Sequence, residues 1–390
     1  MTKHYRNIET KLIHAGEPEP LIQGAVTMPI FQSSTFEYAG QTNYDDIRYI
    51  RLNNTPNHIV LHKKLAALEN AEAAIVTGSG MGAITTTLLT FLSPGDHFLT
   101  QDCLYGGTYE FITKDLAALG ISYDLIDAAN PDSWESRLRP ETRAIYVETI
   151  TNPLMQVADL RVVPGFAKTH GLISMTDNTF ASPMNFRPSE WGFDLSLHSC
   201  SKYLNGHSDI VAGAVIGRAD LIKKITHKLN HLGATLDPHA CFLLHRGMKT
   251  LAVRMRCQNE SALDISKYLE SHPEVEKVNY PGLESCPGHQ FADKLFDGCG
   301  GMLSFELKGD VERAERFIRN TSLPIVAPSL GGVETLITRP ATTSHSGMSR
   351  EDREALGISD TLIRLSVGIE ATQDIIEDIE HALKKSDTRY

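Results

Sequence analysis

Short apolar runs alternate with helix-like stretches through the middle of this chain, and this alternation constrains the fold more than any other feature. The runs lie at 74–77, 97–100, 122–126, 144–149, 172–178, 194–199 and 211–217. Their residues are apolar continuously rather than at every second position, which is typical of parallel strands that are buried on both faces. The pattern predicts an α/β fold in which a mostly parallel sheet is sandwiched by helices.

The segments on either side of this region have a different character, and 390 residues exceed what one compact core usually holds. Residues 1–60 are rich in Pro, Gly, Asn and Gln, which predicts an irregular arm. An amphipathic helix at 61–73 is expected to open a large domain that covers 61–250. A long helix, two strand-like runs and a final amphipathic helix predict a smaller α+β domain over 251–390.

Composition excludes several classes of partner. The formal net charge is −11 and no Lys/Arg run occurs, so neither nucleic acid nor an anionic membrane is expected as a partner. Six scattered cysteines without a Cys-x-x-Cys pair indicate reduced thiols, and the N-terminus has no apolar signal core, so a cytoplasmic protein is expected. The uncharged stretch Ala73–Gly95 is interrupted by turn residues, which favours a strand and a buried helix over a membrane span.

A glycine-rich turn follows the first apolar run. In GSGMGA, Gly78, Gly80 and Ala83 satisfy the pattern G-x-G-x-x-[GA]. Small residues at a helix N-terminus let backbone N–H groups approach an anion closely. The turn therefore predicts binding of a phosphate group but does not identify the ligand that carries it. An NAD-dependent oxidoreductase is one interpretation, and a strand–helix turn without a ligand is another.

Asp177 and Lys202 lie at the ends of two successive strand candidates, at the sheet edge where open α/β folds bind ligands. Pyridoxal 5′-phosphate (PLP) requires a lysine for its Schiff base and an acid for its pyridine nitrogen. The hydroxyls of Ser199 and Ser201 suit its phosphate. A lone lysine after a strand is ordinarily a solvated cation. This combination instead predicts PLP bound covalently to Lys202.

The segment 198–209, HSCSKYLNGHSD, together with TDNTF at 176–180, resembles the signature of the Cys/Met-metabolism family of PLP enzymes. The likeness extends over nearly the whole chain. This family includes cystathionine β- and γ-lyases, cystathionine γ-synthase, methionine γ-lyase and O-acetylhomoserine sulfhydrylase. The resemblance implies the PLP-dependent transferase-like fold (fold type I) and a carbon–sulfur lyase that acts on an amino acid such as cystathionine.

The resemblance also implies particular roles for residues of this sequence, and it implies no metal. The implied catalytic residues are Lys202 as general base, Tyr105 stacked on the pyridine ring and Asp177 on the ring nitrogen. The implied cofactor-binding residues are Tyr49, Arg51, Ser79, Gly80, Met81, Tyr105, Asn152, Asp177, Ser199, Ser201 and Lys202. The implied substrate-binding residues are Arg364, which would grip the α-carboxylate, with Ser329, Asn152 and Tyr105.

Tyr49 and Arg51 match the family's Tyr-x-Arg motif, whose residues in relatives reach the phosphate of the neighbouring subunit. This gives the irregular arm a function and implies a homodimer at least, assembled as usual in the family into a homotetramer. Asn54-Thr55-Pro56 replaces the family's Asn-Pro-Thr, so a different local turn is expected there.

Four positions bear on the reaction. Gly107 replaces the cysteine of methionine γ-lyases, and Pro328 replaces the glutamate common in γ-synthases and many γ-lyases. Leu330 differs from the tryptophan of one β-lyase subgroup, and Glu110 replaces an arginine of animal-type γ-lyases. On balance these positions favour cystathionine β-lyase, followed by cystathionine γ-lyase and then cystathionine γ-synthase.

The remaining interpretations explain less of the sequence. An NAD-dependent oxidoreductase leaves Lys202 and Asp177 without a role, and a catalytically silent homologue should lack one of the expected site residues. His227 and His231 have the i,i+4 spacing of a zinc site but lack the accompanying glutamate, so a helix surface is expected. His207 and Asp209 are expected to support the loop that carries Lys202.

Overall fold

The computed structural model describes residues 5–387, so residues 1–4 of the predicted arm and 388–390 of the predicted C-terminal domain lie outside the described part. The α-helices are α1 (Ile8–His14), α2 (Pro56–Leu68), α3 (Gly80–Phe91), α4 (Gly106–Glu110), α5 (Val162–His170), α6 (Ser182–Asn185), α7 (Ala219–Leu232), α8 (Pro238–Met248), α9 (Leu251–Ser271), α10 (His289–Leu295), α11 (Val311–Asn320), α12 (Arg350–Ala355) and α13 (Thr372–Ser386). The strands are β1 (Ala73–Thr77), β2 (His97–Gln101), β3 (Ser122–Ile126), β4 (Thr142–Glu148), β5 (Ile173–Asp177), β6 (Leu195–Ser199), β7 (Gly213–Gly217), β8 (Val275–Asn279), β9 (Met302–Leu307), β10 (Ile325–Val326), β11 (Leu336–Thr338) and β12 (Leu362–Ser366).

The first seven strands form one sheet in the order β1-β7-β6-β5-β4-β2-β3, which confirms the predicted mostly parallel sheet. Only β7 runs antiparallel to its neighbours β1 and β6 within this sheet. No helix connects β6 to β7, so the chain returns beside β6 in the opposite direction instead of crossing over. The other five strands form a second sheet in the order β10-β11-β12-β9-β8.

Both faces of the large sheet are buried, as the continuous apolar runs predict. Along β4, Ile145 and Val147 join the hydrophobic cluster on one face, and Ala144 and Tyr146 join the cluster on the other. All four side chains are fully buried. Helices therefore cover the sheet on both sides, and burial of each large apolar side chain contributes about 1.5–3 kcal/mol.

Helix α9 links the two sheets. Leu251 and Met255, in its first half, belong to a cluster of the large sheet, whereas Ile265 and Leu269, in its second half, pack with the smaller sheet. The boundaries at residues 60 and 250 remain predictions.

Two expectations about the N-terminal region are wrong. The first long helix spans Pro56–Leu68 rather than 61–73, because Thr55 is extended and Pro56 occupies the first helical position, where its missing N–H costs nothing. This helix is buried on several sides, with even Lys64 enclosed, so it is not amphipathic. The predicted irregular arm also contains a helix, α1, whose Leu12 packs in the core.

The uncharged stretch Ala73–Gly95 folds as β1 followed by α3, as predicted. Among residues 5–387, no helix combines the length and the apolar character needed to cross a bilayer.

Candidate active site

The predicted site residues gather at one edge of the large sheet. Strands β1, β6, β5, β4 and β2 all run in the same direction, so their carboxyl ends meet at this edge. The residues that follow or end these strands are Ser79, Gly80 and Met81 after β1, Ser199 and Lys202 at β6, Asp177 at β5, Asn152 after β4 and Tyr105 after β2. This edge is where open α/β sheets bind ligands.

The turn between β1 and α3 forms a cradle for an anion. Ser79 Oγ accepts the N–H of Gly82 at 2.9 Å, and Ser79 O accepts that of Ala83 at 3.1 Å. Among the described residues, nothing is recorded as accepting the N–H groups of Gly80 and Met81, which are the groups that a helix N-terminus offers to a phosphate. A Cβ at Gly80 would lie 2.8 Å from Ser199 Cβ, so only glycine allows this close approach.

Lys202 is held on the loop after β6. Its Nζ donates a hydrogen bond to Ser329 Oγ at 2.7 Å. Burial and then the positive charge of Arg364 lower the pKa of Lys202 to about 8. The loop that carries Ser329 packs tightly here, since a Cβ at Gly331 would lie 2.7 Å from the backbone nitrogen of Tyr203. The amine is therefore nucleophilic at a lower pH than a surface lysine, as a Schiff-base lysine requires.

Asp177 ends β5 beside Glu148, which is its partner in the register with β4. The carboxylate of Asp177 accepts the N–H of Thr179 at 2.9 Å and the hydroxyl of Tyr146 at 3.5 Å. Burial raises the pKa of Asp177, and the hydrogen bonds from Thr179 oppose that rise. Burial and then the charge of Asp177 raise the pKa of Glu148 well above its usual value. The hydrogen bonds from Thr179 favour the ionised form of Asp177, and an anionic carboxylate suits a cationic ring nitrogen.

Tyr105 starts helix α4 and points its ring toward α3. Its backbone N–H donates to Glu148 Oε1 at 2.6 Å. A Cβ at Gly107 would lie 2.7 Å from the Tyr105 ring and 3.3 Å from Met81 Sδ, which places the ring next to the anion cradle. The side chain remains 43% exposed, so a face of the ring is available to stack on a planar ligand.

Arg364 lies on β12 of the smaller sheet and reaches the large-sheet residues. It donates through Nη1 to Asn152 Oδ1 at 3.0 Å and through Nη2 to Ser329 O at 3.3 Å. Burial lowers its pKa to about 10, so the guanidinium is still charged at neutral pH. A buried, positioned guanidinium suits the carboxylate of an amino acid.

The structure places three predicted cofactor residues in other contacts. Ser201 Oγ accepts the N–H of Ala212 at 2.9 Å, so its hydroxyl is already engaged with the backbone. Arg51 donates to Asn230 O at 2.7 Å, and its guanidinium lies 5.5 Å from the ring centroid of Tyr49. Within one chain, the recorded partners of Tyr49 and Arg51 do not include Lys202 or Asp177.

Sequence reasoning missed several residues around the site. Thr179 binds Asp177 and also accepts the N–H of Ser199 at 2.8 Å, and its i+2 spacing from an aspartate is a local turn signal that could have indicated it. His345 is buried, and burial followed by the charge of Arg364 lowers its pKa to about 4. Nothing in the sequence around His345 indicates this position. Within residues 5–387, no cluster of three or more His, Cys, Asp and Glu could hold a metal ion.

An anion cradle, a buried lysine of low pKa and a buried acid on the neighbouring strand are the groups that PLP requires, so these residues fit the cofactor. The fold and site thus define a PLP enzyme of fold type I. The family model described as Cys/Met metabolism PLP-dependent enzyme matches residues 9–384. The chain belongs to this family, and PLP rather than a dinucleotide is its cofactor.

Individual relatives agree with this assignment. The chain is 43% identical over 380 residues to cystathionine beta-lyase of Lactococcus lactis subsp. cremoris (strain MG1363), a match that covers 97% of this chain and 99% of that protein. It is 42% identical over 396 residues to L-methionine gamma-lyase of Fusobacterium nucleatum subsp. polymorphum, covering 98% and 99% of the two chains. The crystal structure of cystathionine gamma-lyase from Lactobacillus plantarum, complexed with L-serine, matches with a TM-score of 0.93 at 38% identity and covers 97% and 99%.

These likenesses confirm the predicted fold, the cofactor and an enzyme of cysteine and methionine metabolism with lyase relatives. The three relatives carry three different activity names. Membership of the family is therefore compatible with more than one reaction.

Proposed function

We propose that this enzyme cleaves the β-carbon–sulfur bond of cystathionine. Cystathionine and water are converted to homocysteine, pyruvate and ammonia. The electron pair of the broken bond leaves with sulfur, which takes up a proton to become the thiol of homocysteine. The three-carbon fragment that remains is hydrolysed to pyruvate and ammonia.

The chain's own groups have separate tasks in this proposal. Arg364, held by Asn152, binds the α-carboxylate, and Lys202 removes the proton from the α-carbon as general base. Ser329 Oγ lies 2.7 Å from Lys202 Nζ and orients that amine. Asp177 would hold the pyridine nitrogen of the cofactor, as an anion. When bound, PLP accepts the electron pair that the α-carbon would otherwise carry.

The observation that carries the β assignment is the surroundings of Lys202. Both eliminations need a base at the α-carbon and a proton for the departing sulfur, whereas γ-elimination also requires proton transfer at the β-carbon. The charged group that perturbs Lys202 is Arg364, and the described part of the chain records no carboxylate paired with Lys202. Pro328, which cannot titrate, precedes Ser329 where the γ enzymes commonly carry glutamate. The absence of a carboxylate beside Lys202 among the described residues supports the simpler reaction.

Cystathionine γ-lyase is the second candidate, and it would release cysteine, 2-oxobutyrate and ammonia. The likeness to the cystathionine gamma-lyase of Lactobacillus plantarum supports it. Leu330 stands where one β-lyase subgroup carries a tryptophan, and it is buried in the core. This difference removes one feature that would have supported the β assignment. Cystathionine γ-synthase is the third candidate. Methionine γ-lyases carry a cysteine where this chain has Gly107. A cysteine at this position would have to displace the Tyr105 ring, so this site differs from theirs and methionine is a less suitable substrate.

The deciding experiment supplies purified enzyme with cystathionine and resolves the products by mass spectrometry, with Lys202→Ala as the control. Pyruvate with homocysteine supports the β assignment. 2-Oxobutyrate with cysteine would replace it by the γ assignment. If the visible cofactor band is present but cystathionine is not consumed, incubation with cysteine and an O-acylated homoserine tests the synthase.

We further propose that the active site is completed by a second copy of the chain. The arm carries a set of exposed apolar side chains, which an isolated monomer would leave in water: Leu21, Val26, Ile30, Tyr38, Tyr44 and Tyr49. The family resemblance supports a homodimer in which Tyr49 and Arg51 reach the partner's cofactor phosphate, and a homotetramer built from such dimers.

Arg51→Ala tests this arrangement, with Arg48→Ala as the matched control. Both arginines lie on the arm, but Arg48 stacks 5.7 Å from the ring centroid of Phe36 and has no proposed phosphate contact. Arg51→Ala should weaken PLP retention about tenfold or more, the loss of one charge-assisted hydrogen bond. Equal PLP retention by the two variants would refute the proposed contact between Arg51 and the phosphate. A monomeric protein in analytical ultracentrifugation would refute the proposal that two subunits share the site.

A cytoplasmic location is also proposed. All six cysteines are free in the structure, as in a protein that works in a reducing compartment. Cell fractionation with an antibody would test the location, and recovery outside the cytoplasmic fraction would contradict it.

A further inference from the structure

A carboxylate with no role in the proposed reaction is buried behind the active site. Glu69 caps the end of α2, and its side chain is 0% exposed. Its Oε1 accepts three hydrogen bonds, from His198 Nε2 at 2.6 Å, Asn178 Nδ2 at 3.1 Å and Ser196 Oγ at 3.1 Å. Its Oε2 is buried and has no hydrogen-bond partner among the described residues. Three donors therefore converge on one oxygen of an enclosed acid.

An enclosed carboxylate is stable only if it is protonated or if a cation compensates its charge. Asn178 and Ser196 are neutral, so His198 is the one neighbour among these donors that can supply a positive charge. Its ring is also buried, with a side-chain exposure of 1%, so bulk water does not screen the pair. The short contact from His198 and the convergence of three donors on one carboxylate oxygen are the geometry expected of an ion pair.

This pair is attached directly to the strands that carry the catalytic groups. Asn178 is the residue after Asp177, and its N–H donates to Leu197 O at 2.8 Å while its side chain binds Glu69. His198 follows Leu197, which is paired with Asp177 in the register of β5 and β6. Glu69 thus links the end of β5, where Asp177 lies, to the end of β6 through its contacts with Asn178 and His198.

The charge of His198 also acts on Asp177. The other ionisable groups that face Asp177 are Tyr146 and Glu148 of β4 and Cys200 after β6, none of which becomes positive. A positive His198 lowers the pKa of Asp177, opposing its burial. Among these groups, His198 is the one that favours the carboxylate by charge.

We propose that Glu69 and His198 form a buried ion pair that positions Asp177 and holds it as a carboxylate toward the pyridine nitrogen. Both are positioning residues, since they act through Asp177 rather than on the substrate. The proposal rests on the role of Asp177 in the proposed function. A protonated pyridine nitrogen withdraws electrons from the rest of the ring, so it makes the Lys202–cofactor linkage lose its proton at a lower pH.

The test titrates the visible cofactor band of the holoenzyme with pH in His198→Gln, Glu69→Gln and the double variant. Each single variant should move the midpoint upward by about one pH unit, a tenfold change in proton affinity, and weaken PLP binding about tenfold. The double variant should move it no further, because the two residues act as one unit. His58→Gln is the control: His58 lies on the same helix as Glu69 and is equally buried, but it binds Thr55 and Leu236 O. It should leave the midpoint unchanged.

An unchanged midpoint in both folded single variants, or additive shifts in the double variant, would overturn the proposal. If the variants do not fold, neutron diffraction from the wild-type holoenzyme decides the question: a deuteron on each ring nitrogen of His198 supports the pair. A neutral His198 beside a protonated Glu69 refutes it. The proposed reaction fails separately, since the cystathionine products are measured on the wild type and do not depend on this midpoint.

Discussion

Replacing Arg364 by lysine tests the assignment of the substrate α-carboxylate most directly. Arg364 donates to Asn152 Oδ1 at 3.0 Å and to Ser329 O at 3.3 Å, and its remaining N–H groups are left for a carboxylate. A lysine keeps the charge but has one nitrogen, so it cannot hold both acceptors and a bidentate carboxylate together.

The expected loss follows from these contacts. Removing one charge-assisted hydrogen bond to the substrate costs about 1.5–3 kcal/mol. This loss corresponds to a decrease in kcat/KM of about 10- to 150-fold. Most of it should appear in KM, because the α-carboxylate carries the same charge in the substrate and in the transition state.

The assay is steady-state release of thiol from cystathionine, with the visible cofactor band measured to verify that Arg364→Lys retains PLP. Arg313→Lys is the matched control, since Arg313 is also buried on the smaller domain but donates to Lys308 O at 2.6 Å, away from the site. A variant at 364 that keeps its cofactor and shows a KM within about threefold of the wild type would refute the carboxylate role, since the lost contacts predict a far larger effect.

Three further changes probe the rest of the site. Gly80→Ala should weaken PLP binding about 100-fold or more, because its Cβ would lie 2.8 Å from Ser199 Cβ, while Gly165→Ala, in open space, should bind normally in the same fluorescence titration. The rate at which apoenzyme regains the visible band should rise as pH passes about 8, since only the neutral amine attacks and the pKa of Lys202 is lowered to about 8; a midpoint above pH 10 would contradict its burial. Refolding mixtures of Lys202→Ala and Arg51→Ala subunits should recover about a quarter of wild-type activity, because half of the dimers are mixed and one of their two sites is intact; no recovery would exclude a shared site.

The sequence predicts the sheet and its catalytic edge well, because both depend on local patterns. Each apolar run identifies a strand, and parallel strands bring their carboxyl ends to one edge whatever their order. Asp177 and Lys202 could therefore be expected to share a site although 25 positions separate them along the chain. The direction of each side chain is less predictable, as Ser201 shows: its hydroxyl type suits a phosphate, but its Oγ accepts the N–H of Ala212.

The residues behind the site could not be predicted in this way. Glu69 and His198 are 129 positions apart, and neither stands in a local pattern that indicates a partner. Their contact exists because α2 packs against β1 and β7, and β7 is the neighbour of β6 in the sheet. This arrangement is set by tertiary packing. The early start of α2 at Pro56 was missed for a related reason, since the buried polar side chains Asn57 and His58 hide the helix from a reading of apolar periodicity.

The cofactor is easier to infer than the reaction, and the site shows why. PLP requires an anion cradle, an amine and an acid, and each is anchored at the end of a different strand, so several independent signals agree. The choice between β- and γ-elimination depends on delivery of one proton to one carbon, and a change of about 1.4 kcal/mol in that step alters the product ratio tenfold. Ser329 and Pro328 sit where such a change would act, on a loop seated against Tyr203 through Gly331. Relatives with a shared cradle and lysine can therefore carry different activity names, and the product ratio measured for this chain reports on that loop rather than on the fold.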